Sequence, residues 1–270
     1  MSSVIEKALG ILELLTEDPD GYTVSEIAAQ TGQPMSGVHR QLNEFARLGY
    51  VRQHEAGGRY SLSLKLAAMG LNYLTRCGIN DFAQPVLDKL AQASHELIRL
   101  SVVDGDKLIW VAVAQGATTG LRYDPGPEQG MQIHLASTAG GLAWLSTMDD
   151  DAAIALVSKQ GLRSGSTAAG LRVIESIAEL QKLLATFREQ GYAYSANTYT
   201  VGLAAMAMPV RNTLTGNVVG CVSIAGPYAR LNEDRARELS PTLKQAAIEL
   251  GAASSASSFF THSAGLKQAG

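Results

Sequence analysis

Two cysteines in 270 residues, Cys77 and Cys221, are too few for a disulfide framework, and neither stands near histidines at a metal-ligand spacing, so no zinc site is expected. The chain also lacks an apolar run long enough to span a bilayer and a secretory leader, which points to a reducing cytoplasm and no membrane partner. Enzyme signatures are missing as well. There is no G-x-S-x-G, H-E-x-x-H, G-x-x-x-x-G-K-[ST] or G-x-G-x-x-G, so neither catalysis nor a cofactor is expected. Ser137 and Thr138 near His134 resemble a nucleophile cluster, but the bland reading of that trio, a helix N-terminus, is preferred. Charge is scarce too, at 17% of residues with a formal net charge of −3, which moves the question of a nucleic-acid partner to local balance. What is present is 46% hydrophobic residues over a length that accommodates a small domain and a larger one.

The stretch from Thr23 to Leu64 organises the rest. Thr23 is an N-cap with Glu26 three residues on, the spacing of a capping box, and Gly32 suits a left-handed helix end. Pro34 fits the first turn of a second helix, whose Val38, Leu42, Phe45 and Leu48 form an apolar stripe. Ser36, Gly37, His39, Arg40 and Asn43 are left facing outward. Small and hydrogen-bonding side chains at the start of an exposed helix let the backbone approach a major groove and the tips meet base edges. Two β-like runs around a Gly57-Gly58 turn complete a winged helix-turn-helix, with Arg59 near the wing tip to reach a phosphate or the minor groove. Thr23, at the start of the first helix, joins Ser36, Gly37, His39, Arg40, Asn43 and Arg59 as the candidate double-stranded-DNA-contacting set. Between Gln33 and Lys65 five basic residues face two acids, a modest basic excess, while residues 1–20 carry five acids against Lys7. One copy should therefore bind weakly and rely on pairing.

Taken in order, Val4 to Thr16 reads as an amphipathic helix with Val4, Ala8, Ile11, Leu12 and Leu15 inward. Leu64 to Leu74 is an apolar linker helix, broken at Gly78 to Asp81, and Phe82 to Leu97 is a second helix. Leu97–Val103 and Lys107–Ala114 form a hairpin around Asp104-Gly105-Asp106. Gly120–Tyr123 is a further expected strand, ending at Asp124-Pro125-Gly126-Pro127. Helices are expected at Ser137–Ser146, Asp149–Gln160 and Ile174–Gln190, and strands at Tyr192–Tyr194, Leu203–Arg211 and Val218–Ala225. Asn232 to Ala253 is a terminal helix interrupted by Pro241. The Ser/Ala/Gly-rich stretch after it has too little apolar surface to fold. The fold class is thus α+β: residues 1–63 a winged helix-turn-helix, 64–80 a linker helix, 81–253 an antiparallel sheet flanked by helices, and 254–270 a disordered tail.

Six stretches in this order, KALGILELL (7–15), VSEIAAQTGQPMSGVHRQLNEFARLGYV (24–51), YSLSLKLAAMG (60–70), IHLASTAGGLAWLS (133–146), EQGYA (189–193) and GLAAMAMPVRNTLTGNVVGCVSIAGP (202–227), resemble the isocitrate-lyase-regulator (IclR) family of bacterial transcription factors. The resemblance implies a GAF-like effector domain, homodimers or dimers of dimers on a pseudo-palindromic operator, and no catalysis. It also implies an effector seated between the sheet and the helix after His134. Carried over by position, that points to Thr138, Ala139 and Leu142 on the helix and Ser195, Ala205, Ser223 and Ala225 on strands, with Trp110 as core or pocket wall. Three departures stand out: Gly37 where relatives carry Ser or Thr, Gly141 where Lys is frequent, and Ser195-Ala196-Asn197-Thr198 where a pair of acids is usual. With those acids gone, a small organic acid from a catabolic pathway, aromatic ahead of a short keto acid, is the expected ligand, its charge met by helix N–H groups, Thr138 and Ser223. The alternative from another class is a winged-helix module that binds protein rather than DNA.

Overall fold

The computed structural model describes residues 3–54, 58–124, 126, 128–164 and 169–255, and only the backbone of residues 79–81. The chain divides into two compact units, Met1–Arg76 and Cys77–Gly270.

In the first unit, helix α1 (Val4–Leu14) is closed by a capping box between Ser3 and Glu6. Its C-terminal half supplies the core through Ile11, Leu12, Leu14 and Leu15, whereas Val4, expected inward, is 72% exposed because α1 packs on its neighbour only beyond the second turn. Helix α2 (Val24–Thr31) starts in the expected box: Glu26 N–H donates to Thr23 Oγ1 at 3.3 Å and Thr23 N–H to Glu26 Oε2 at 2.7 Å. It ends on Gly32 at φ 64°, in the left-handed region. Pro34 is the N-cap of α3 (Met35–Arg47) rather than a residue of its first turn. Val38 and Leu42 of α3 are fully buried and Phe45 half-buried, but Leu48 lies past the helix end and is exposed. Strands β1 (Val51–Gln53) and β2 (Tyr60–Leu62) pair antiparallel with Val51 opposite Leu62. Gly57 of the expected turn lies outside the described residues. Tyr22 adds a further rung on β2, an isolated bridge in which it exchanges two backbone hydrogen bonds with Tyr60. Helix α4 (Leu64–Cys77) follows directly and runs three residues beyond the expected Leu74.

The rung at Tyr22 depends on Gly21. Its φ is 74°, and a Cβ there would stand 2.0 Å from the carbonyl oxygen of Tyr60. Gly37, by contrast, has open space around the position of a Cβ. We expect Gly21→Ala to destabilise this unit by more than about 2 kcal/mol through combined strain and clash, and Gly37→Ala, inside a helix with room for the methyl, to leave its stability unchanged or raise it by up to about 1 kcal/mol. Urea unfolding of the two variants is the check, and equal midpoints would contradict the assignment.

The second unit is a five-stranded antiparallel sheet in the order β4-β3-β7-β6-β5, from β3 (Leu97–Asp104), β4 (Lys107–Gln115), β5 (Ala193–Ala196), β6 (Leu203–Arg211) and β7 (Val218–Pro227). Helices α5 (Ile79–Ser94) and α9 (Glu233–Ser254) pack together on one face. Residues 79–81, expected as a break, are helical; the break is Gly78 alone, left-handed at φ 69°. Pro241 does not interrupt α9: the buried row Ala236, Leu239, Leu243, Ala246, Ala247 and Leu250 holds the helix to the sheet across it. The other face receives α6 (Ala139–Leu145), α7 (Asp150–Gln160) and α8 (Ile177–Gln190), in a core that includes Trp144, Leu180, Leu184, Ala207 and Cys221. Gly120–Tyr123, expected as a strand, is irregular. Its carbonyls are taken by side chains instead, Gln115 Nε2 donating to Tyr123 O at 3.0 Å and Arg230 to Leu121 O. Of the expected tail, residues 256–270 lie outside the described residues.

Candidate functional site

Two regions gather the candidate residues, one in each unit. On α3, Ser36, His39, Arg40 and Asn43 are exposed, and His39 and Asn43, one turn apart, lie within hydrogen-bond distance at 3.4 Å. Gly37, between Ser36 and His39 in the chain, adds no side chain to this face. No side chain caps the start of α3, and the Gly37 N–H is already taken by Pro34 O at 2.9 Å. Thr23 is occupied by its capping box. Arg59 departs from expectation: its Nε donates to Gly21 O at 2.8 Å, and its guanidinium lies 3.4 Å from Glu26 Oε2. It is folded back against α2 and the Tyr22 rung, because an acid and a carbonyl are both within reach there. Arg40 and Arg47 are the exposed arginines of α3, Arg47 held by Glu44 at 2.9 Å, and Arg52 is that of β1.

In the second unit, Trp110, Thr138, Ala139, Ser195, Ala205 and Ser223 line one small cavity of about 20 Å³ between the sheet and α6, together with Arg99, Thr198 and Tyr199. Leu142 lines a separate cleft of about 560 Å³ beside β5 and α8, which shares Ser195 and Thr198. Ala225 is 1% exposed and lines neither space; it is enclosed within the sheet between Leu97 of β3 and Ala205 of β6.

Thr138, not Ser137, caps α6: its Oγ1 accepts from Gly141 N–H at 3.1 Å and donates to His134 O at 2.9 Å. Its one proton is therefore spent inside the protein, and α6 is only seven residues long. Thr138 Oγ1 has no proton left for a ligand. Gly141 is required where it stands, since a Cβ would meet the carbonyl oxygen of Leu135 at 2.4 Å, so the Lys of related sequences has no room on this backbone.

The charge in the pocket comes from Arg99, a residue the sequence reading passed over inside the run Leu97–Val103. A lone arginine between Ile98 and Leu100 was the available signal, because a cation in a central strand must find compensation. Arg99 is 6% exposed. Its guanidinium carbon sits 4.8 Å from the Trp110 ring centroid and 5.1 Å from that of Tyr123. Glu128 Oε2 is 2.7 Å from its Nη2, out of line for a hydrogen bond, and Arg99 Nε has no hydrogen-bond partner. Tyr123 O–H donates to Glu128 Oε1 at 3.2 Å. Burial pushes the Glu128 carboxyl above its ordinary range, with Arg99 pulling it back in part. Burial likewise pushes the Tyr199 phenol up to about 12, helped by the charge of Glu128. The segment bearing Glu128 is held by backbone bonds from Gly130 and Ile133 to Trp110 and Leu108 of β4, at 2.8 and 2.7 Å. Arg230, paired on both carboxylate oxygens of buried Glu96 at 2.7 and 2.9 Å, fastens Leu121. Cys221 is enclosed and its thiol is pushed up by burial, an inert core residue. Among the described residues there is no cluster that would hold a metal ion.

His134 adds a pH dependence. Both ring nitrogens are enclosed without a hydrogen bond, and burial lowers its pKa, offset in part by nearby backbone at Arg163 and Gly161. The folded protein thus prefers the neutral ring and the unfolded chain binds the proton more readily. Stability should be full above the unfolded histidine pKa of roughly 6.5 and fall as pH drops from there toward the lower folded value. Thermal unfolding between pH 7.5 and 5 should show a loss that His134→Gln reduces; an identical pH profile in the variant would contradict this.

Comparison with known proteins agrees with this architecture. Residues 4–55 match the IclR helix-turn-helix domain, and residues 71–252 match the C-terminal domain of bacterial transcriptional regulators of the IclR type. Among curated relatives, the acetate operon repressor of Salmonella typhimurium is 26% identical over 91% of this chain and 88% of its own length. The regulator KdgR of Escherichia coli is 29% identical over 93% of this chain and 92% of its own. An IclR regulator from Alicyclobacillus acidocaldarius superposes with a TM-score of 0.77 at 22% identity, covering 94% of this chain and 99% of that one. An IclR homologue from Microbacterium hydrocarbonoxydans, solved in complex with 4-hydroxybenzoate, gives a TM-score of 0.76 at 19% identity over 94% of this chain and 100% of the other. These define a transcriptional regulator with a helix-turn-helix unit and an effector-binding domain, not an enzyme. The chain belongs to the IclR family. No helix among the described residues is long and apolar enough to cross a membrane.

Proposed function

We propose that this regulator controls a catabolic operon in response to a small organic acid, with an aromatic acid ahead of a short keto acid, and that it acts in the cytoplasm as a dimer or dimer of dimers on a pseudo-palindromic operator. The observation that carries the effector class is Arg99: a buried guanidinium flanked by Trp110 and Tyr123 offers charge and aromatic surface to one ligand. The 4-hydroxybenzoate complex of the Microbacterium homologue supports the same class. Calorimetry with benzoate-type and glyoxylate-type acids tests it: micromolar binding of the former is expected, and binding of the latter alone would reverse the order.

Operator reading falls to Ser36, His39, Arg40 and Asn43 on α3. Arg40→Ala should cost about 1–3 kcal/mol of operator affinity and lower the salt dependence by one contact while folding is unchanged. Arg59→Ala should have a smaller effect on binding, because its charge is already directed at Glu26. Gel-shift titrations across a salt series check both. Binding that ignores salt would instead favour a protein-binding module.

Pairing is attributed to α4, where Leu64, Met69, Leu71 and Tyr73 are all more than half exposed on a single chain. Leu71→Glu should shift sedimentation toward monomer and weaken operator binding at least tenfold by removing bivalence. A wild-type protein that stays monomeric at micromolar concentration would overturn this.

A further inference from the structure

We propose that Arg99 is the group that receives the effector's carboxylate, and that Glu128 is an internal carboxylate occupying Arg99 until the effector displaces it. This rests on the organic-acid reading above and assigns its chemistry to particular atoms.

Trp110 and Tyr123 stand over the guanidinium, at 4.8 and 5.1 Å from their ring centroids, so approach is left to its nitrogen edges. Those edges are where a carboxylate binds in a two-pronged pair. Glu128 does not complete such a pair. It meets Nη2 at 2.7 Å off the hydrogen-bond line, its own Oε2 is without a hydrogen bond, and Arg99 Nε is buried and unpartnered. A buried donor left unsatisfied is costly, and a ligand carboxylate free to orient would satisfy donors that Glu128, fixed to the backbone, leaves unpaired.

The surrounding space agrees. Arg99 and Trp110 line two cavities: the gap of about 20 Å³ toward α6, and another of about 320 Å³ that also has Glu128, Gln129, Gly126 and Ala112 in its wall. The first holds about one water. The second is at the size of a small-ligand site, and Arg99 and Glu128 both border it. Withdrawal of the Glu128 side chain frees the Nη2 edge of Arg99 for a carboxylate seated in that space. The acid then replaces one carboxylate with another, so the buried positive charge is never left without a partner. A neutral analogue has no means of making that exchange.

The test uses the full chain and three probes, benzoate, 4-hydroxybenzoate and 4-hydroxybenzamide, followed by calorimetry and tryptophan fluorescence. Glu128→Gln should bind the two acids about tenfold tighter than the wild type and leave the amide unchanged. The double variant Arg99→Gln/Glu128→Gln, which strands no buried charge, should lose the preference for acid over amide while unfolding at the wild-type temperature. Arg99→Lys, which keeps the charge and loses the fork, supplies the same readout if the double variant does not fold, with acid affinity lowered about tenfold. Acid binding in Arg99-substituted protein equal to wild type would overturn the inference and leave the effector class standing, with the ligand elsewhere in the domain. Unchanged acid affinity in Glu128→Gln would overturn displacement. Absence of acid binding in both wild type and Glu128→Gln would overturn the inference and the organic-acid reading together.

Discussion

A guanidinium enclosed in the interior of the effector domain sets the terms for everything around it. Removing a cation from water costs several kcal/mol, which the protein must offset locally. Here Glu128 supplies opposite charge, and Trp110 and Tyr123 supply aromatic faces. Those partners come from a strand and from an irregular segment with no ladder of its own. The segment is therefore tied by the Arg230–Glu96 pair and by the backbone bonds of Gly130 and Ile133 to β4. Ala139, Ala205 and Ser223 border the gap beside Arg99, which has room for about one water, and Gly141 lets Leu135 close over α6.

The DNA-binding unit is stabilised by different means. Its strength lies in two capping boxes, a left-handed glycine end and a compact core around Ile11, Ile27, Val38 and Leu42. The outward face of α3 is thereby held without contributing to the core. A single continuous helix, Leu64–Cys77, carries the chain from this unit to the boundary of the next. Along it Leu64, Met69 and Leu71 are each more than half exposed.

Much of the fold was legible in the residues because local signals agreed with the global one. Thr23 with Glu26, Gly32, and the stripe of Val38 and Leu42 each specify their element without long-range information. The strand Leu203–Arg211 was legible to the residue through its turn-bounded apolar run. The misses share a cause, which is that they depend on partners distant in sequence. Gly120–Tyr123 has strand-like composition but its carbonyls are claimed by Gln115 and Arg230. Pro241 forbids one helical bond, yet packing against the sheet carries α9 through. Arg59 is drawn to Glu26, 33 positions away. Arg99 was the costliest omission, since its meaning comes from Glu128, Tyr123 and Trp110, none of which is its neighbour in the chain. Ala225 and Leu142 were placed by position alone, which fixes the strand or helix but not which cavity a side chain faces.

If the buried cation is where the acid acts and α3 is where DNA is read, the two sites must share a coupling free energy, and coupling is reciprocal. The most direct measurement is a closed thermodynamic cycle on the full chain. Operator affinity is titrated with and without saturating 4-hydroxybenzoate, and 4-hydroxybenzoate affinity with and without saturating operator. The account predicts the same factor, of about 5-fold or more in either direction, from both arms. An acid that binds tightly and changes operator affinity by a factor of one would contradict it.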